Sequence, residues 1–130
     1  MRRALLMSGV VLAALGLTGC VPTGFSDLER EATDADAVPA GLPDYALEGF
    51  DVDTLRLVGE VDGQQLYLAK GINYPICLLI YPGPEDWNTT CGSEMTATTI
   101  GSFEVQVVSD PFPSKDGWTS VGQNIRVRDR

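Results

Sequence analysis

Residues 54–70 read TLRLVGEVDGQQLYLAK, two alternating apolar runs that meet at Asp62-Gly63. Apolar residues at every second position put one face of an extended strand into a core. An Asp-Gly pair between two such runs signals a type I′ hairpin. Both central positions of that turn need positive φ, which Gly adopts freely and Asp tolerates. Leu55 and Leu57 then share one face of the first strand, and Leu66 and Leu68 one face of the second. A two-stranded hairpin is marginal alone, so the rest of the domain must supply more strands.

The following sequence does so. PICLLIY, WNTTC, EMTATTI, FEVQVVS and QNIRVRD are short and rich in β-branched or aromatic residues, as strands require. Turn signals separate them at Gly71–Pro75, Pro82–Asp86, Gly101 and DPFPSKDG. Beyond Leu42 the only helical pattern is a weak one near Tyr45–Phe50. The expected fold is all-β: a small antiparallel meander of six or seven strands, closing into a curved sheet or compact barrel, with one disulfide.

The N-terminus follows a different logic. Arg2 and Arg3 precede the apolar run ALLMSGVVLAALGL, and small residues lead into Cys20. This is the layout of an export signal, with the arginines kept on the cytoplasmic side while the run enters the bilayer. The LTGC tetrad at 17–20 resembles the lipobox of bacterial lipoproteins. That resemblance implies a diacylglyceryl group on the Cys20 sulfur and cleavage just before it. Two acyl chains on one cysteine hold stably, where a single chain holds only reversibly. The alternatives are an uncleaved helix, because Ala4 to Val21 is just long enough to span a bilayer, and ordinary secretion. Either anchored reading places the C-terminal domain outside the cytoplasmic membrane. The expected division is a lipoprotein signal peptide at 1–19, a lipidated cysteine and flexible acidic tether at 20–43, and a β domain at 44–130.

Export bears on the two remaining cysteines. Cys77 and Cys91 form an even pair in a compartment where disulfides persist. They fall on segments read as neighbouring strands joined by a turn at PGPED, so they are expected to bond across an antiparallel pair. A redox or metal-binding dithiol would need CxxC spacing or further ligands.

The segment between anchor and domain is rich in Pro, Ala, Asp and Glu. As a flexible coil it would reach about 25 to 30 Å. Ser26 and Glu29 have capping-box spacing, so FSDLEREATDADA is expected to form at most a marginal helix.

Charge excludes some partners. The formal net charge is −9, and removing Arg2 and Arg3 with the signal leaves −11. Nucleic acid and anionic headgroups both need clustered Lys or Arg, so neither is an expected partner. Membrane contact must come from hydrocarbon on Cys20.

Catalytic signals are sparse. The chain has no histidine, which removes the imidazole base of nucleophilic triads and the commonest metal ligand. Ser114 beside Lys115 lies in a Pro- and Gly-rich loop and reads as a solvated turn. Asp51 and Asp53, and Glu60 and Asp62, have the spacing of carboxylates on one side of an extended segment. Such pairs also mark ordinary strand ends and turns, and a calcium site needs six or more oxygens. No catalytic residue, metal ligand or cofactor is expected. Asn88-Thr89-Thr90 matches a glycosylation acceptor, which a bacterial context makes coincidental.

Two tryptophans remain. Trp118, just before an alternating strand, reads as a plug for one end of the core. Trp87, at a hairpin end in PGPEDWNTT, is the candidate recognition residue.

The order of TLRLVGEVDGQQLYLAKG, ICLLIY, TTCG and DGWTSVGQNIRV resembles a group of small, membrane-attached actinobacterial proteins of unknown function. The resemblance implies one architectural unit from Leu55 to Arg128 and supplies no activity. The sequence thus points to a membrane-anchored envelope lipoprotein whose non-catalytic β domain binds a partner protein or envelope polymer. A small-molecule sensor and a hydrolase are the competing readings.

Overall fold

A computed structural model describes residues 24–93, 98–110 and 115–129. The expected signal peptide and Cys20 lie outside these residues, as does Ser114. Among the described residues eight strands follow one another: β1 (Arg56–Val61), β2 (Gln64–Ala69), β3 (Ile76–Tyr81), β4 (Asn88–Gly92), β5 (Thr98–Ile100), β6 (Phe103–Val107), β7 (Thr119–Val121) and β8 (Ile125–Asp129). They form two open four-stranded sheets, ordered β1-β2-β3-β4 and β5-β6-β8-β7. Every pairing is antiparallel, so the all-β expectation holds.

The first sheet is the expected meander. Its opening turn has Asp62 at φ 51° and Gly63 at φ 77°, the pair of positive values that the hairpin needs. The second sheet departs from a simple meander at β7. The connection from β6 runs past the place beside it, and β8 takes that place by folding back from β7. β7 is only three residues long, too short for alternation to reveal it.

β2 and β3 bury both faces, which explains the unbroken apolar run of ICLLI. On one face Leu66, Leu68, Ile76, Leu78 and Ile80 meet Val105, Val107, Ile125 and Val127 of the second sheet. On the other, Tyr67, Ala69, Cys77 and Leu79 are covered by Ala46, Leu47, Phe50 and Leu55. Those four covering residues belong to a segment of short 3-10 turns, Asp44–Leu47 and Val52–Thr54. The layers are therefore sheet, core, sheet, second core, and a cover of turns.

The segment expected to be a flexible tether is instead docked where it is described. Phe25 and Leu28 are buried within the inter-sheet core. Two 3-10 turns, Ser26–Leu28 and Asp34–Asp36, stand where a marginal helix was expected. Ser26 does not form the capping box. Its N–H and hydroxyl both donate to the Asp110 carboxylate. Asp27 accepts from the N–H groups of Gln123 and Asn124, and donates its own to the Asn124 side-chain oxygen. Gly122, at φ +61°, makes room for this contact, because a Cβ there would meet Asp27 and Val58. The folded unit thus begins by Phe25, well before Asp44.

Candidate partner-binding surface

β3 and β4 pair in continuous register from Ile76↔Gly92 to Ile80↔Asn88, with Cys77 directly opposite Cys91. The two are disulfide-bonded, with Cα atoms 4.1 Å apart. Facing cysteines in adjacent antiparallel strands need no backbone movement to bond. The expected disulfide is present.

β4 is an edge strand, and side chains on an extended strand alternate between faces. Positions 87, 89 and 91 therefore share the face that carries the second core. Trp87 is half-buried there, packed with Leu42, Leu57, Tyr81 and Cys91 against the buried cluster. Its ring lies 6.0 Å from that of Tyr45, at an interplanar angle of 58°, within the range of favourable tilted aromatic pairs. Tyr45 is 65% exposed.

The Tyr45–Gly49 stretch crosses the second-core face of the sheet near β4. At one end Tyr45 meets Trp87. At the other, a Cβ built on Gly49 would lie 3.8 Å from Cys91 Sγ, and the Gly49 carbonyl oxygen is 3.6 Å from Cys77 Sγ. The next loop joins the same region: Ile72 donates its N–H to the Gly49 carbonyl. Ile72 and Tyr74 are both largely exposed. Trp87 is thus one member of a surface that also presents Tyr45 and borders Ile72.

Carboxylates rim this surface. Asp44, Glu48, Glu85 and Asp86 are all exposed. Neither residues 31–55 nor residues 71–114 contain a lysine or arginine. Lys70 directly precedes the Gly71–Ile72 stretch, and against the four carboxylates it leaves the named charges about the surface net negative.

Other sequence candidates separate from this surface. Asp51 and Asp53 do not lie on one extended segment, because Val52–Thr54 is a 3-10 turn that Asp51 precedes. Glu60 is an exposed strand residue and Asp62 occupies the turn. Trp118, expected in the core, belongs to neither apolar cluster. It is half-buried beneath two guanidinium groups, with Arg126 and Arg128 at 5.0 and 4.4 Å from its ring centre. Those arginines alternate along β8, so both project from one face and share the ring. Among the described residues no group of three or more Cys, Asp or Glu is placed to hold a metal ion.

The strongest electrostatic feature lies at the opposite edge of the first sheet. Asp36, its side chain 2% exposed, pairs with Arg30. It accepts both Arg30 terminal nitrogens at 2.8 and 2.6 Å, and the backbone N–H of Thr33 and of Leu57 at 2.7 Å each. The Arg30 hydrogen bonds, then those backbone donors, hold the Asp36 carboxyl far below the usual carboxylate range despite burial. Arg30 also donates to the Leu57 carbonyl. Their bonds to the Leu57 N–H and carbonyl close the β1 edge. Sequence gave little sign of Asp36, which resembles every other acid in its segment. The Phe25–Leu28 pair, three residues apart, was the one available signal that this segment docks.

Comparison with known proteins yields no match to a family model, a curated protein or a solved structure.

Proposed function

We propose that this is an envelope lipoprotein, held to the membrane through lipid on Cys20, whose non-catalytic β domain binds a partner protein or envelope polymer. The observation that carries the binding reading is the Tyr45–Trp87 pair, an aromatic surface beside the outer strand of the first sheet. Aromatic residues that are partly seated and partly exposed suit recognition, because they bury much area on contact at little cost in side-chain ordering. The anchoring reading is supported by the LTGC tetrad behind its apolar run.

A membrane-held site benefits from local concentration, so a weak contact suffices for binding. Two variants in intact cells test the two halves. Wild type should carry acyl label and run as the form cleaved before Cys20, while Cys20→Ala should carry no acyl label and keep its apolar N-terminal run. Wild-type protein that is uncleaved and takes up no acyl label would replace the lipid with a spanning helix. Trp87→Ala should remain membrane-bound but lose its crosslinked partner or polymer, and an unchanged crosslinking pattern would remove this surface from consideration.

A further inference from the structure

The first sheet treats its two edges differently. At β1, the outward N–H and C=O of Leu57 are taken by Asp36 and Arg30. That ion pair occupies the place of a neighbouring strand. At β4 nothing equivalent is present among the described residues.

The unpaired groups on β4 can be identified. Directly opposed residues in antiparallel strands alternate between pairs that exchange hydrogen bonds, with Cα atoms about 5.5 Å apart, and closer pairs that do not. At 4.1 Å, Cys77↔Cys91 is a close pair. Leu79↔Thr89, two residues along, is another. The N–H and C=O of Thr89 and Cys91 therefore point away from β3, toward the open edge. Among the described residues no backbone partner from outside the strand ladder is bonded to them. β4 also lacks the usual devices against strand addition, having no lysine, proline or bulge.

We propose that β4 accepts an added strand: an extended, lysine- or arginine-bearing segment of another protein, paired with Thr89 and Cys91. This deepens the partner-binding reading and rests on it. Main-chain bonds supply the pairing, and alternate side chains supply the selectivity. Residues of the added strand opposite Thr89 and Cys91 would lie on the face of Trp87 and Tyr45, bordered by Asp44, Glu48, Glu85 and Asp86. That rim selects a cationic segment. It also opposes pairing of β4 with β4 of a second copy, which would set these carboxylates against their own counterparts.

The test uses the mature lipidated protein, from Cys20 onward, in nanodiscs. The probe is a library of nine-residue peptides with Lys or Arg at every second position, beside a matched library carrying Glu there. Amide exchange is read residue by residue. The basic library should bind and slow exchange at Thr89 and Cys91 at least tenfold, and the acidic one should not. Thr89→Pro removes an outward donor while leaving the β3 ladder intact; it should weaken binding at least tenfold with its melting curve close to wild type. Peptides backbone-methylated at alternate positions give the same comparison without altering the protein, and should also lose binding.

Several results would overturn strand addition. One is no slowing at Thr89 and Cys91 with any basic peptide. Another is equal binding by the methylated peptides, or protection of these amides without peptide in a species of dimer mass. A purified envelope glycan that perturbs Trp87 but not these amides would also overturn it, while the broader partner-binding reading survived. Failure of that broader reading is seen separately, as an unchanged crosslinking pattern for Trp87→Ala in cells.

Discussion

Asp36 shows how one side chain can hold a sheet edge. Buried, it is satisfied by two guanidinium nitrogens and two backbone N–H groups, so its removal leaves Arg30 and Leu57 without their acceptor. Arg30 is 41% exposed and turns to water, so the cost comes mainly from the Thr33 and Leu57 N–H groups left without an acceptor, about 2 kcal/mol. Asp36→Ala should lower the unfolding free energy by that amount in urea titrations. The pH dependence has a definite sign. The folded-state carboxyl sits below its ordinary value, so the unfolded chain takes up the proton first as pH falls. Its stabilisation is complete above about pH 4, the ordinary aspartate range, and is lost progressively as pH drops further. Wild type should therefore weaken in acid more steeply than Asp36→Asn, measured as unfolding free energy between pH 5 and pH 2.

The docked stretch from Phe25 to Asp36 and the strand pair β3–β4 depend on different forces. The former is held by core burial and side-chain bonds to the β7–β8 turn. Phe25→Ala should cost about 3 kcal/mol, as expected for removing a large ring from a packed core. An effect within experimental error would mean that this segment is not part of the cooperative unit. The β3–β4 pair is held by its ladder and the Cys77–Cys91 bond, which closes a loop of sequence separation 14. Cross-linking a loop of that size constrains the unfolded chain by about 3 kcal/mol. Melting with reductant present should therefore occur at lower temperature, with the β4 amides exchanging faster than those of β2.

These elements differ in how readily sequence reveals them. β1, β2 and the turn between them were legible because Asp-Gly and the flanking alternation act locally. The disulfide was legible once Cys20 was assigned elsewhere. The second core was hidden, since the residues that cover Tyr67 and Leu79 lie in irregular turns with no period to read. Tyr45 was hidden for the same reason: its pairing with Trp87 depends on where that cover crosses β4. Trp118 was misread because an aromatic before a strand suits either a core or a platform for arginines. The alternation of Arg126 and Arg128 was the clue.

For the molecule as a whole, the docked N-terminal stretch sets a distance. Phe25 is fixed in the core, so only residues 21–24 separate it from Cys20. A fully extended chain covers roughly 3.5 Å per residue, which limits the span from the lipidated cysteine to Phe25 to about 18 Å. A domain of about 100 residues has a radius of gyration near 13 Å. On the lipid-anchored reading the protein is thus a moored float rather than a kite. It can roll and drift in the plane of the bilayer, yet its centre rises little more than its own width above the headgroups. Whatever meets it must itself be embedded in that membrane, or descend to it.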